Sequence, residues 1–142
     1  MEILMESRIK QTIELHNKGY NCAQAIACTY CDLVGIDEKT ALCATEGFGA
    51  GMGGMQATCG AVSGAVFLAG MKGSDGAVGA PKSKARTYKY SKTIVEAFQK
   101  KNGTIICCEL KAKDPETGKV KRDCQGCILD AAAITEIVLF SE

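Results

Sequence analysis

The chain has 142 residues, 46% of them hydrophobic and 23% charged, with a formal net charge of +1. That length can bury one core without covalent staples, and the composition is that of a globular protein rather than a disordered one. The near-neutral balance excludes a global basic field for nucleic acid or anionic lipid, and Tyr20, Tyr30, Tyr88 and Tyr90 do not interleave with a basic patch.

Nine cysteines are many for a chain that needs no staples. The segment "MEILMESRIKQTIELH" lacks a basic stretch followed by an apolar one, so no signal peptide is read there. The longest nearly uncharged run, Phe48 to Met71, is too rich in glycine for a membrane span. The expectation is a cytoplasmic protein with reduced thiols, in which cysteines serve metal binding or catalysis rather than a disulfide framework.

In chain order, Met5, Ile9, Ile13 and His16 recur at i/i+4 and predict a first helix over residues 3–18, closed at Gly19. His16, the only histidine, reads as a capping or packing residue near the end of that helix. Asn21 caps a second helix, "CAQAIACTYCDLVG", ending at Gly35. A short third helix starts from Asp37, and Thr58 is the expected cap of a fourth beginning at Cys59. Residues 72–83 read as a loop, 84–103 as a helix stopped by Asn102-Gly103, and "TIICCEL" as a short strand or a helical turn. A charged loop then leads into a last helix from Cys124. The fold class is all-α: a compact bundle of five or six helices in a single domain over 1–142, with a glycine-rich loop before a central helix of small residues.

Four cysteines share a place in this scheme. Cys22, Cys59 and Cys124 follow the capping residues Asn21, Thr58 and Asp123, and Cys107 precedes "CELK", where the sequence allows a helical turn. Unpaired N–H groups and the helix dipole at such positions stabilise a thiolate, which makes a better nucleophile or metal ligand. The plain alternative is that these cysteines fill the core as small hydrophobes, but core filling does not select helix starts. Cys28 and Cys31 lie mid-helix and read as packing, Cys43 as core and Cys108 as a spectator. "CQGC" has the form of a dithiol motif in which Cys124 attacks and Cys127 resolves, although a charged loop stands where a redox fold would place a buried strand.

Gly49, Gly51 and Gly54 satisfy G-x-G-x-x-G by count, but "ALCATEG" before them is no strand, so a dinucleotide fingerprint is rejected. Gly51, Gly53, Gly54 and Gly60 remain candidates for binding a cofactor, because glycine N–H groups can cradle an anion or a cluster sulfide. In the next helix, Gly60 and Gly64 beside Ala61, Ala65 and Ala69 offer a smooth face for close approach of another backbone.

"GYNCAQA", "FGAGMGGMQATCGAVSGA", "GTIICCEL" and "DCQGCILDAA" together resemble the family of small proteins named for the cysteine pattern C–GCAxxG–C–C, to which a redox role is ascribed. The resemblance spans nearly the whole chain and selects Cys22, Cys59, Cys107 and Cys124, with Gly60, Ala61 and Gly64 in the central motif. Here that motif reads CGAxxG, and the charged segment 111–123 and five further cysteines lie outside the pattern.

Two chemistries follow. Low-pKa thiolates can perform thiol–disulfide or electron-transfer chemistry as a thiol-dependent oxidoreductase, with a redox protein or a small thiol or disulfide as partner. Alternatively, Cys22, Cys59, Cys107 and Cys124 are metal ligands, for an iron–sulfur cluster before zinc, whose ligands usually come in close pairs. No C-x-x-C-H occurs, so covalent c-type haem is not expected. A third class, a helical interaction module with packing cysteines only, and assembly as a homodimer are both compatible with the sequence.

Overall fold

A computed structural model of the chain describes residues 6–141. Seven α-helices follow in order: α1 Ile9–Asn17, α2 Cys22–Tyr30, α3 Glu38–Thr45, α4 Gly60–Gly73, α5 Lys84–Asn102, α6 Cys107–Lys111 and α7 Cys124–Phe140. Short 3-10 turns, Cys31–Val34 and Glu46–Phe48, extend α2 and α3. Gly49–Met52 makes one further turn, but Ala50 and Gly51 have left-handed dihedrals and it is not a regular helix. The described residues form no strand beyond two isolated bridges, Thr58–Ile106 and Lys113–Val120. The all-α expectation holds, with one helix beyond the upper count. The extra one is α6, which the sequence left between strand and helical turn.

The local signals act as read at most ends. Asn21 Oδ1 accepts the Gln24 N–H at 2.9 Å while Gln24 Oε1 accepts the Asn21 N–H at 3.0 Å, a complete capping box for α2. Asp123 Oδ1 accepts the Gly126 N–H at 2.7 Å and starts α7. Gly35 and Gly103 stop their helices in the left-handed region.

Two expected starts move. The first helix begins at Ile9 rather than residue 3, and Met5 lies outside the described residues. Residues 6–8 leave the helical pattern because buried Glu136 accepts the Arg8 N–H at 2.7 Å, along with the Tyr30 hydroxyl at 2.5 Å. Thr58 does not cap α4. It sits in extended backbone against Ile106, and Cys59 takes the N-cap position instead.

The core gathers around α4, which is apolar on all sides and packs against α2, α5 and α7. Leu68, Ile26, Phe98 and Ile128 are fully enclosed there, each stabilising the fold by roughly 1.5–3 kcal/mol. The small-residue face of α4, expected to admit another backbone, meets that of α2. A Cβ built on Gly64 would lie 2.7 Å from the Ala23 carbonyl oxygen, so only glycine allows the two backbones to close. This contact sets the start of α2 beside the start of α4, and α7 lies across both. No helix among the described residues is long and apolar enough to cross a membrane.

Candidate functional site

The first residues of α2, α6 and α7 and the N-cap of α4 are all cysteines, and the fold brings these four helix starts together. Cys22 and Cys124 lie within hydrogen-bonding reach of each other, as do Cys59 and Cys127. Cys107 stands among them as electrostatic neighbour of Cys59 and Cys124. Burial is graded across the group. Cys124 is exposed and Cys22 half-buried, whereas Cys107, Cys59 and Cys127 are buried, the last completely.

Lys111, at the end of α6, supplies the positive charge. Its Nζ lies 3.4 Å from Cys127 Sγ, and its field also reaches Cys22, Cys59, Cys107 and Cys124. Partial burial would lower the Lys111 pKa, but the sulfurs of Cys127, Cys124 and Cys59 outweigh that and raise it. Lys111 therefore stays protonated.

Each pair divides one proton unequally. The hydrogen bond from Cys127 is the largest influence on Cys59; with the N–H groups of Ala61 and Val62 and the charge of Lys111, it overcomes burial and brings Cys59 down to about 6. No side-chain capping bond closes at this helix start, and the Ala61 and Val62 N–H groups act on the sulfur only through their dipoles. Cys127 moves up, first through that same hydrogen bond and then by burial. Lys111 is nearest to Cys127, but Cys59 has the helix terminus as well, so the charge settles on Cys59.

In the outer pair the hydrogen bond from Cys22 does most to bring Cys124 down to about 6, aided by Lys111 and His16 against burial and Asp123. Cys22 is pushed up, by that bond first and by burial second. Burial raises Cys107, with Lys111 opposing. Within each pair one thiol is thus pulled down and the other pushed up, with Lys111 acting on both pairs.

Surrounding contacts hold this arrangement. Buried Asp130 accepts from Arg122 Nε at 3.0 Å and from Lys101, which fixes the loop end that leads into Cys124. The segment after the glycine turn docks on the start of α6, with Cys59 N–H to Ile105 O at 2.7 Å and Cys107 N–H to Ala57 O at 2.8 Å. Gly51, at φ +57°, is pressed onto Cys107, and a Cβ there would come within 2.4 Å of the Cys107 Cβ. Gly60 faces Ala23 and the Cys22 Cβ. Gly53 and Gly54 stand in open space, and the Gly53 N–H is bonded to Gly49 O.

The structure places Cys22, Cys59, Cys107 and Cys124 in one neighbourhood, and of the four glycines Gly51 and Gly60 lie against these cysteines while Gly53 and Gly54 do not. Cys124 and Cys127 of "CQGC" turn to different partners, Cys22 and Cys59, rather than to each other as the dithiol motif implied. Cys28 and Cys31 are buried, and Cys43, expected in the core, is exposed because the open side of α3 carries it. Cys108 Sγ points to Gln56 at 3.9 Å. Lys111 and His16 were not singled out as site residues. The only hint of Lys111 was its position one turn past Cys107. As for a metal, the donors present would be these sulfurs, yet among the described residues no three His, Cys, Asp or Glu side chains are grouped to hold an ion.

Fold and site together define a small all-helical protein that gathers cysteines at several of its helix starts beside Lys111. The family model described as "Putative redox-active protein (C_GCAxxG_C_C)" matches residues 20–138, and the chain belongs to that family. No curated protein and no solved structure matches it.

Proposed function

We propose that the protein performs two-electron thiol–disulfide chemistry, with Cys22–Cys124 and Cys59–Cys127 as its redox pairs. The observation that carries this reading is the pairing itself: exposed Cys124 has Cys22 as its neighbour and buried Cys59 has Cys127, whose sulfur lies 3.4 Å from Lys111 Nζ. A nucleophilic thiolate and its resolving thiol are thus already neighbours. Exposed Cys124 attacks a disulfide of a small molecule or a protein, and Cys22 closes on it to release the reduced product. Lys111, with Nζ 3.4 Å from Cys127 Sγ, stabilises the negative charge of the attacking sulfurs.

The test is disulfide mapping by mass spectrometry after oxidation of the reduced, anaerobically purified chain with excess oxidised glutathione, with iron, zinc and acid-labile sulfide measured on the same sample. Cys22–Cys124 and Cys59–Cys127 links in metal-free protein are expected. Near-stoichiometric iron and sulfide, or no intramolecular link, would overturn the reading in favour of a cluster or of packing cysteines.

A further inference from the structure

We infer that the hairpin over residues 112–123, built directly before Cys124, selects what reaches that cysteine: a small disulfide carrying carboxylates, which Lys113, Lys119 and Lys121 recognise. This rests on the dithiol reading above and gives it a substrate class.

The segment lies outside the cysteine pattern that the rest of the chain follows, and it is ordered by its own hydrogen bonds. Lys113 and Val120 pair as an antiparallel bridge. Asp114 closes the turn between them. Its N–H donates to Lys119 O at 2.8 Å, and its carbonyl accepts the Gly118 N–H at 2.8 Å. Its carboxylate accepts the N–H groups of Glu116 at 2.8 Å and Thr117 at 3.1 Å. At the base, the Arg122 N–H donates to Leu110 O at 3.2 Å, and the Arg122 side chain is fixed on buried Asp130 at 3.0 Å. Lysines on such a frame hold their places relative to Cys124.

Charge and access then point the same way. Lys113, Lys119 and Lys121 are exposed, and among the described residues none of them is in an ion pair. The carboxylates beside them are engaged: Asp114 in the turn, Asp123 on the Gly126 N–H and Glu109 by the Thr104 hydroxyl. Glu116, at the tip, is the exception. Residues 111–123 thus carry five cations against three carboxylates, two of which are occupied by backbone N–H groups. Two hollows of about 400 and 390 Å³ adjoin the hairpin, and Lys119 and Lys121 line both. That size suits one half of a peptide-like disulfide. The second hollow runs to Asp123, the chain neighbour of exposed Cys124. Three peptide units separate Lys121 from Cys124, so their Cα atoms lie within about 11 Å of each other. That is about one Debye length at about 0.1 M salt, close enough for exposed charges to draw an anion to the sulfur.

The chemistry balances. The Cys124 thiolate attacks one sulfur of the disulfide; a new S–S bond forms as the substrate's own breaks, and the leaving half departs with the bonding pair as a thiolate. Cys22 gives its proton to that thiolate, and its sulfur closes on Cys124 to release the second half. The substrate disulfide is reduced and the Cys22–Cys124 pair oxidised.

The experiment compares anionic oxidised glutathione, neutral bis(hydroxyethyl) disulfide and cationic cystamine on the reduced chain, with acid quenching and peptide mapping of the Cys124 adduct and the Cys22–Cys124 link. In the triple variant Lys113→Gln, Lys119→Gln, Lys121→Gln, the rate with oxidised glutathione relative to the neutral disulfide should fall at least about fivefold at low salt. The same ratio for cystamine should rise. Lys89→Gln with Lys92→Gln, which removes two charges from α5, should leave both ratios near those of the wild type. In the unaltered chain the glutathione ratio should drop about as far between about 0.02 and 0.5 M salt, a reading that needs no variant to fold. Ratios insensitive to salt, or unchanged in the triple variant, would overturn the recognition of anions and leave the dithiol reading standing. Absence of any Cys124 adduct or Cys22–Cys124 link with all three disulfides would remove the dithiol reading and this inference with it.

Discussion

Replacing Lys111 with methionine keeps an unbranched stem of similar length and removes the cation that acts on both cysteine pairs. Nζ is 3.4 Å from Cys127 Sγ, and Cys59 lies one hydrogen bond beyond. At about 6 Å and an effective dielectric of about 20, that charge is worth about 2.8 kcal/mol to a thiolate, or about 2 pKa units. Lys111 is only partly buried, and water on its open side screens roughly half of this, leaving about 1 unit. Cys59 and Cys124 should move from about 6 to about 7. Alkylation of Cys124 by iodoacetamide should then be about fivefold slower at about pH 6 and nearly unchanged at about pH 8, because only the thiolate fraction differs. Thiolate absorbance during a pH titration gives the same shift for both pairs together, and Lys111→Arg should restore most of it. An alkylation profile in Lys111→Met that overlays the wild type would refute the assignment of Lys111 as the counter-ion.

Stability should depend on pH in a direction fixed by the same thiols. Cys59 and Cys124 have folded-state pKa values of about 6, below those of an unfolded chain, so the stability they contribute is present above about pH 9 and is lost as pH falls through 6. Cys22 and Cys127 are shifted the other way, and their contribution is lost as pH rises past the unfolded value. Urea midpoints should therefore drop between about pH 8 and pH 6, and Cys59→Ser should flatten that limb; an unflattened limb would contradict a thiolate at Cys59. At the glycine turn, Gly51→Ala should destabilise by about 1–3 kcal/mol, since its Cβ meets Cys107 and its φ is left-handed. Gly54→Ala, which faces open space, should cost much less, and equal losses in urea melts would show that the turn is not docked on the site.

The sequence by itself determined the helices and where the reactive groups enter them. Asn21, Asp123, Gly35 and Gly103 act on backbone groups three or four residues away, so their effect is legible locally. The same locality identified Cys22 and Cys124 as first helical residues and Gly64 as part of a face open to another backbone, whereas Cys107 was left between a strand and a helical turn. Tertiary structure overrode local preference where a distant partner competed. Glu136 took the Arg8 N–H and shortened α1, and Ile106 drew Thr58 into extended backbone, which left Cys59 as the cap.

Only the tertiary structure decided which sulfur faces which. Cys22 and Cys124 are about a hundred positions apart, and Cys59 and Cys127 nearly seventy; no periodicity spans such distances, and the pairing follows from how α2, α4 and α7 cross. Lys111 belongs to a charged stretch whose ordinary reading is a solvated surface. It becomes the centre of the site because α6 is a single short helix that directs its last residue back toward the sulfurs at the starts of α4 and α7.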